Sequence, residues 1–183
     1  MMKSRSYGGG GFERPAFVLS TLAIGLGVSR SLALKGVPVV AMDYRKGAAK
    51  TASKSFSAYR QIPDIESDPD SAVDAILDAQ ADFGEKGVLF PTTDAFVLFV
   101  SRHRRKLIGQ FDMAIPAEEV LEGILNKRAQ YENAIRLGVP IPETYFPDSL
   151  SDLDSFKDKI TYPVLIKPCY SHQWQKVFDN KGF

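Results

Sequence analysis

The sequence predicts an α/β fold, with an open parallel sheet followed by a second, smaller unit. Short apolar runs alternate along the chain with segments of helical periodicity, as in parallel sheets whose faces are covered by helices. Polar residues follow several of these runs, at the strand ends where such sheets bind their ligands. The composition, with 44% hydrophobic and 25% charged residues, is that of a globular protein and not of a disordered one.

The first predicted unit, residues 15–116, opens with two strands and a helix. Residues 15–19 and 37–42 are apolar runs of the kind that form strands buried on both faces. The helical segment between them ends at Gly36, so the order strand, helix, strand predicts a right-handed βαβ unit. Residues 1–14 contain four consecutive glycines, and we expect a flexible tail there.

A partial dinucleotide-binding fingerprint accompanies this βαβ unit. Gly25 and Gly27 open the helix after a turn, and Asp43 follows the second strand. In dinucleotide-binding folds, glycines in that turn approach the pyrophosphate and the acidic residue binds a ribose. Arg30 occupies the third glycine position, so the fingerprint is incomplete and a nicotinamide-dependent oxidoreductase or epimerase is an alternative interpretation. Arg30 itself is either an anion-binding residue or a solvated helix arginine.

The remaining elements of the first unit alternate in the same way. We expect residues 47–61 to form a loop with a short helical turn, because Ala, Ser, Lys and Gly dominate there. Asp68 before Pro69 predicts a helix start, since an acidic N-cap precedes a proline at the first helical position. A third strand is predicted at 88–91 and a fourth at 111–116.

Three polar residues come directly after the third predicted strand. Thr92, Thr93 and Asp94 would lie at its carboxyl end, where their hydroxyls and carboxylate could bind a substrate amine or hydroxyl. Thr93 or Asp94 would equally suit the N-cap of the next helix, predicted at 95–105. The two roles are compatible, and the sequence leaves both open.

Two lysines dominate the interpretation of the second unit, residues 117–183. Residues 164–166 form an apolar run between prolines, which predicts a buried strand that Lys167 follows directly. Because an unpaired ammonium beside a core is costly, a lysine in this place favours a bound anion such as phosphate. Lys127 stands at the start of a predicted helix, and a short strand is expected at 143–146. Two lysines brought together by a strand and a helix would suit a nucleoside triphosphate.

At these residues the sequence resembles a known superfamily. Lys127 and its helix, Gly-Val-Pro-Ile-Pro-Glu-Thr at 138–144, an acidic helix and Tyr-Pro-Val-Leu-Ile-Lys-Pro at 162–168 are similar to the opening of an ATP-grasp domain. The resemblance extends from Pro15 onward and implies a Rossmann-like pre-ATP-grasp domain followed by the first lobe of an ATP-grasp domain. It also implies that Lys167 contacts the α-phosphate and the adenine edge, and that Lys127 contacts the phosphates from the other side.

The resemblance further implies an ATP-dependent carboxylate–amine ligase. In such a protein, ATP and Mg²⁺ phosphorylate a carboxylate to an acyl phosphate, which an amine or similar nucleophile captures. The substrate side would be lined by Gly25, Gly27, Arg30, Thr92, Thr93 and Asp94. The magnesium ligands of the superfamily are expected beyond residue 183, so we expect these residues to be an N-terminal fragment or truncated form with little or no ligase turnover of their own.

The second unit departs from the superfamily pattern at two places. Asn126 stands where an aspartate is common. No glycine follows Pro168 until Gly182, although many ATP-grasp proteins have a glycine-rich loop there that closes over the phosphates. Both departures indicate a divergent branch of the superfamily.

Composition and charge narrow the function classes. The net charge is +1, with 23 basic and 22 acidic side chains, so the bulk charge does not favour nucleic-acid binding. The single cysteine, Cys169, excludes an intrachain disulfide and favours a reducing cytoplasm. The apolar segment at 16–28 is too short to span a bilayer, and a buried strand with a helix is preferred there to a signal peptide. We expect small-molecule carboxylate and amine partners and no membrane partner, leave the oligomeric state open, and keep a non-catalytic binding module as a second alternative.

Overall fold

A computed structural model describes residues 14–46 and 53–171 of the chain. The chain divides into two compact units, Met1–Pro116 and Ala117–Phe183, referred to below as unit 1 and unit 2. Across the described ranges, every helix is too short or too polar to cross a lipid bilayer.

Unit 1 contains a five-stranded, all-parallel sheet, which confirms the predicted fold class. Its strands are β1 (Ala16–Leu19), β2 (Val39–Asp43), β3 (Ala58–Gln61), β4 (Gly87–Pro91) and β5 (Phe111–Asp112). The strand order is β3-β2-β1-β4-β5. The chain therefore builds outward from β1 on one side, then returns to add β4 and β5 on the other side.

The helices of unit 1 cover an apolar sheet. They are α1 (Ala23–Ala33), α2 (Pro69–Ala81), α3 (Asp94–Arg102) and α4 (Arg104–Leu107). All residues of β1 and β2 are buried, as expected for strands covered on both faces. The aromatic ring of Phe17 meets that of Phe111 edge-on at 5.1 Å between centroids, which ties the central strand to the edge of the sheet. Asp68 caps α2 as predicted, because its side chain accepts a hydrogen bond from Ser71 N at 3.3 Å.

Several expected boundaries in unit 1 are wrong. The loop expected at 47–61 contains β3 within its described part, because Ser57 N donates to Val39 O and starts a parallel ladder along β2. β3 is only half-buried at the edge of the sheet, so its polar composition gave no strand signal. α1 begins at Ala23, two residues before Gly25, at which the helix was expected to open. The tail expected at 1–14 lies outside the described residues except Arg14, which donates to Lys86 O at 2.9 Å.

The regular elements in the described part of unit 2 are all helical. Its elements are α5 (Glu118–Leu125), α6 (Lys127–Arg136), a 3₁₀ turn (Leu150–Asp152) and α7 (Leu153–Phe156). The strands expected at 143–146 and 164–166 are wrong, because both stretches are irregular. Leu165 is 64% exposed, so Lys167 does not follow a buried strand. A strand needs a neighbour for its backbone N–H and C=O groups, and the described part of unit 2 contains no strand to pair with.

Candidate functional site

The site in unit 1 lies where the strand order reverses. β1 and β4 are adjacent parallel strands, with Leu19 opposite Pro91, and the chain leaves them in opposite directions. In open α/β sheets, the crevice outside the carboxyl ends of two such strands is the usual ligand-binding position. Ser20 follows β1 and Thr92 follows β4, so polar residues flank this crevice on both sides.

Asp43, the last residue of β2, is a buried carboxylate at the carboxyl end of the sheet. Thr21 donates to its Oδ2 from both the backbone N (2.8 Å) and Oγ1 (2.9 Å), and Arg45 N donates to Oδ1 at 3.0 Å. Burial opposes ionisation of the carboxyl, but the hydrogen bonds from Arg45 and Thr21 outweigh burial and hold the pKa of Asp43 below its ordinary value. Asp43 is therefore an ionised carboxylate that fixes the loop after β1 and the loop after β2.

Arg45 completes this arrangement with its guanidinium. Its Nε donates to Asp43 Oδ1 at 2.9 Å and its Nη2 donates to Asp43 Oδ2 at 3.1 Å, a two-point contact with the carboxylate. Nη2 also donates to Ser20 Oγ at 2.8 Å, and the guanidinium carbon lies 5.2 Å from the centre of the Tyr44 ring. We refer to Ser20, Thr21, Asp43 and Arg45 together as the β1–β2 polar cluster.

The backbone of the cluster is held in a sparsely populated conformation. Ser20 is a non-glycine residue at φ 93°, which is uncommon and is found disproportionately at functional sites. Its carbonyl packs against Gly25 of α1 so closely that a Cβ on Gly25 would lie 2.0 Å from Ser20 O and 2.9 Å from Thr92 Oγ1. Gly25 is therefore required because α1 approaches the strand ends so closely. This packing explains the glycine without a bound phosphate.

Among the residues predicted after β4, the structure assigns a definite local role to two. Thr92 Oγ1 donates to Leu19 O at 2.8 Å, so its hydroxyl joins the ends of β4 and β1. Thr93 is the N-cap of α3, since its Oγ1 accepts from Phe96 N at 3.4 Å. Asp94 is exposed in the first turn of α3, where a negative charge suits the helix dipole. Both roles that the sequence left open for these residues are thus compatible with their position at the crevice.

Gly27 and Arg30 lie farther from the strand ends, along α1. A Cβ on Gly27 would meet nothing within 4 Å, so this glycine is not required by close packing. Arg30 is exposed in the last turn of α1, about 10 Å along the helix axis from Ala23 at 1.5 Å per residue. Neither residue is joined to the β1–β2 polar cluster by a hydrogen bond within the described residues.

In unit 2, the start of α6 is covered by the segment Cys169–Ser171. Lys127 N donates to Cys169 O at 2.9 Å, and the Lys127 ammonium donates to Ser171 Oγ at 3.0 Å. Asn126 caps the helix, because its Oδ1 accepts from Arg128 N (3.0 Å) and from Ala129 N. Lys127 is thus held by a neutral hydroxyl, which an anion could replace with a stronger, charge-assisted bond.

The second lysine of the predicted pair is exposed. Lys167 lies in the irregular stretch after Ile166, with its side chain open to solvent. Within the described residues it makes no hydrogen bond or ion pair. The convergence of Lys127 and Lys167 on one polyanion therefore stays a prediction.

The described ranges contain no metal centre built from protein side chains. No group of three or more His, Cys, Asp or Glu side chains comes together there in a way that could hold an ion. The described residues therefore do not form a magnesium site by themselves.

Three members of the β1–β2 polar cluster escaped the sequence analysis, which had singled out only Asp43. Ser20 and Thr21 belong to the turn predicted before the first helix, and no role was predicted for Arg45. A signal for Arg45 is present, because an arginine two residues after an acidic strand end can fold back on the carboxylate. Its contact with Ser20 depends on the pairing of β1 with β2, which local pattern does not reveal.

Comparisons with known proteins give structural matches only. No family model matches the sequence, and no curated protein matches it. The L-amino acid ligase from Bacillus licheniformis matches with a TM-score of 0.63 at 15% identity, over 85% of this chain and 37% of the ligase chain. The biotin carboxylase domain of Hydrogenobacter thermophilus 2-oxoglutarate carboxylase matches with a TM-score of 0.59 at 20% identity, over 86% of this chain and 35% of that one. The chain thus spans just over a third of the length of either neighbour.

Proposed function

We propose that this protein, which has an ATP-grasp superfamily fold, is the amino-terminal part of an ATP-dependent ligase that activates a carboxylate for attack by an amine. The observation that carries the proposal is the β1–β2 polar cluster, a fixed and charged arrangement at the carboxyl ends of β1 and β2. β1 also borders the β1–β4 crevice, the position at which this class of sheet binds ligands. Ser20 of this cluster has a φ of 93°, a sparsely populated conformation of the kind that is concentrated at functional sites.

The structural neighbours support the same kind of chemistry. One of them is named an L-amino acid ligase, and the other was solved as a dimer with MgADP and bicarbonate. An amino acid and bicarbonate are both small carboxylate-type anions, and ADP is the product expected after phosphoryl transfer from ATP. For this chain, we assign the carboxylate to the crevice of unit 1 and the ATP phosphates to Lys127 and Lys167 of unit 2.

The proposed reaction has two steps. A carboxylate oxygen attacks the γ-phosphorus of ATP, the bond from that phosphorus to the β–γ bridging oxygen breaks, and ADP leaves. The amine nitrogen then attacks the carbonyl carbon of the acyl phosphate, inorganic phosphate leaves, and the nitrogen loses a proton. The two lysines would lower the charge on the ATP phosphates, since a positioned ammonium is worth most where negative charge is concentrated.

The unit 1 substrate residues divide into those beside the crevice and those on α1. Thr92, Thr93 and Asp94 follow β4 and flank the crevice, and Gly25 lets α1 approach it. Gly27 and Arg30 lie on exposed parts of α1. We therefore expect the first group to affect carboxylate binding more strongly than the second.

Nucleotide binding by single-site variants tests the proposal. MgATP titrated into the chain should bind, and Lys127→Ala and Lys167→Ala should each weaken binding about tenfold or more, because each removes a charged hydrogen bond to phosphate. Lys159→Ala is the matched control, since Lys159 is an exposed lysine of the same unit.

Two results would count against the proposal. One is ATP affinity that is unchanged in both lysine variants. The other is equal weakening in Lys159→Ala, which would indicate a diffuse charge effect instead of a site. Circular dichroism of each variant separates lost binding from lost folding.

The alternative of a nicotinamide cofactor is less well supported by the geometry. A ribose-binding carboxylate must offer its oxygens to the ligand, whereas both oxygens of Asp43 already accept hydrogen bonds from Thr21 and Arg45. The Asp43 side chain is also fully buried. A ribose at this strand end would have to displace the Arg45 contact.

A further inference from the structure

The outer edge of the Arg45 guanidinium is the strongest ligand-binding feature of unit 1 that remains without a role. Arg45 is held by Asp43 at two points and by Ser20 at a third, and the Tyr44 ring lies 5.2 Å from its guanidinium carbon. Its side chain is nevertheless 30% exposed, whereas Asp43 is 0% exposed. A buried carboxylate thus anchors an arginine whose side chain is still partly exposed to solvent.

One nitrogen of this guanidinium is unused within the described residues. Nε and Nη2 make all the hydrogen bonds that the Arg45 guanidinium donates there, which leaves the N–H groups of Nη1 for another partner. Because the side chain is already fixed, a ligand that binds Nη1 would not have to offset the rotamer entropy of a mobile arginine. Arg30, which is exposed and has no such anchor, lacks this advantage.

Charge balance then narrows the class of ligand. The negative charge of Asp43 offsets the positive charge of Arg45, so the pair is close to neutral. The N-terminus of α1 adds about half a positive charge, and its N-cap residue Leu22 supplies no side-chain acceptor to it. Such an edge suits an anion with a single charge, whereas a phosphate dianion would leave an excess of negative charge beside a buried carboxylate.

We infer that Arg45 binds the carboxylate group of the substrate through its outer edge, and that Asp43 tunes this position to favour carboxylate over phosphate. The inference rests on the proposed function, in which unit 1 receives the carboxylate substrate. Arg45 is the specificity-determining residue in this assignment, and Asp43 is a positioning residue that acts through it. The site thereby discriminates a carboxylate group from a phosphate group.

Titrations monitored by NMR test the inference on the full chain. Acetate, L-alanine and inorganic phosphate are each added while the Arg45 Nε–H signal and the Thr21 amide signal are followed. Saturable shifts of both signals are expected with the two carboxylates, and phosphate should bind about tenfold more weakly, a difference worth roughly one charge-assisted hydrogen bond.

Variants identify the residues responsible. Arg45→Lys keeps the charge but loses the two-point contact, and should weaken acetate and L-alanine binding about tenfold. Asp43→Asn, which nearly preserves the side-chain shape, should raise phosphate affinity relative to carboxylate affinity, because the positive charge of Arg45 is then unmatched. Arg105→Lys, on the exposed surface of α4, is the matched control and should change neither affinity.

Several outcomes would overturn the inference. One is saturable carboxylate binding that shifts the NMR signals of Arg30 and not those of Arg45. The others are phosphate binding as tight as carboxylate binding, and Arg45 signals that neither carboxylate shifts. The wild-type titration decides these outcomes even if a variant fails to fold. If carboxylates bind at Arg45 while ATP does not bind at Lys127, the ligase proposal fails alone. If ATP binds and the Arg45 signals stay unmoved, the ligase proposal survives and this inference fails.

Discussion

At the scale of residues, Gly25 and Gly27 show that two glycines of one motif can differ in whether packing requires them. A side chain on Gly25 would collide with the Ser20 carbonyl, which is fixed backbone that cannot rotate away. Gly27 faces open space two positions later. The sequence predicted a shared ligand role for both, because their spacing resembles a dinucleotide fingerprint, whereas the packing that distinguishes them involves Thr92 from a distant strand end.

The two glycines therefore predict opposite effects on stability. Gly25→Ala should lower the free energy of unfolding by about 1–3 kcal/mol, since the core must move to accept the methyl group. Gly27→Ala should raise it by about 0.5–1 kcal/mol, because alanine is the better helix former. Urea unfolding followed by circular dichroism measures both. A loss of stability in Gly27→Ala equal to that in Gly25→Ala would contradict the packing argument.

Asp43 predicts a pH dependence of stability. Its pKa is lower in the folded protein than its ordinary value, so the ionised carboxylate stabilises the fold fully above about pH 5. That contribution is lost as the pH falls through the folded-state pKa. Asp43→Asn removes the ionisation, so the stability gap between wild type and variant should be constant above about pH 5 and should shrink below about pH 4. If the stability difference between wild type and Asp43→Asn widened as the pH fell, the predicted direction of the pH dependence would be wrong.

At the scale of elements, the start of α6 is stabilised by its N-cap residue, Asn126. Asn126 accepts hydrogen bonds from two backbone N–H groups of the first turn, and its Nδ2 donates to Tyr170 Oη at 3.2 Å. The Tyr170 hydroxyl in turn donates to Glu122, so one residue links the helix start to the segment that covers Lys127. Asn126 thus supplies an N–H donor that an aspartate at this position would lack.

Substitutions of Asn126 test the role of the cap. Asn126→Ala should destabilise the start of α6 by about 1 kcal/mol, which corresponds to about fivefold faster hydrogen exchange at the Arg128 and Ala129 amides. Asn126→Asp retains the acceptor and should exchange at nearly the wild-type rate. If the alanine variant exchanged as slowly as the aspartate variant, the hydrogen bonds from Asn126 would not limit the opening of this turn.

Elements differed in how well the sequence predicted them, for a physical reason. β1 and β2 are buried on both faces and were recognisable from continuous apolar runs. β3 is half-buried at the sheet edge and carries Tyr59 and Arg60, so its strand character comes from pairing with β2 and not from composition. The run 164–166 has the composition of a strand, but no described strand of unit 2 pairs with it. A continuous apolar run indicates a strand that is buried on both faces, but it does not indicate whether a partner strand is present.

At the scale of the whole molecule, the two units differ in their hydrophobic cores. The main cluster of buried side chains, which includes Phe17, Ile76 and Phe111, lies within unit 1. Among the described residues of unit 2, Leu121 is the one hydrophobic side chain that is almost fully buried, at 4% exposed. The first βαβ unit of unit 1 was predicted from the sequence, whereas the order of its five strands was not. The weak core of unit 2 was not predicted either, since its apolar residues are as frequent as those of a packed domain.

This difference predicts that the two units, expressed separately, will unfold differently. Residues 14–116 alone should unfold cooperatively, because about 100 residues with one core can form a stable domain. Residues 117–183 alone should unfold without a sharp transition. Thermal unfolding followed by circular dichroism measures both, and a cooperative transition in the second polypeptide would contradict the assignment of the stable core to unit 1.

The most direct test of the account compares two nucleotides on the same labelled protein. MgATP and NAD are titrated separately, and the amide signals of Lys127, Ser171, Gly25 and Asp43 are followed by NMR. The account predicts that MgATP moves the signals of Lys127 and Ser171 to saturation, and that NAD leaves those of Gly25 and Asp43 in place. Saturable shifts of Gly25 and Asp43 with NAD, without any response of Lys127 to MgATP, would contradict it.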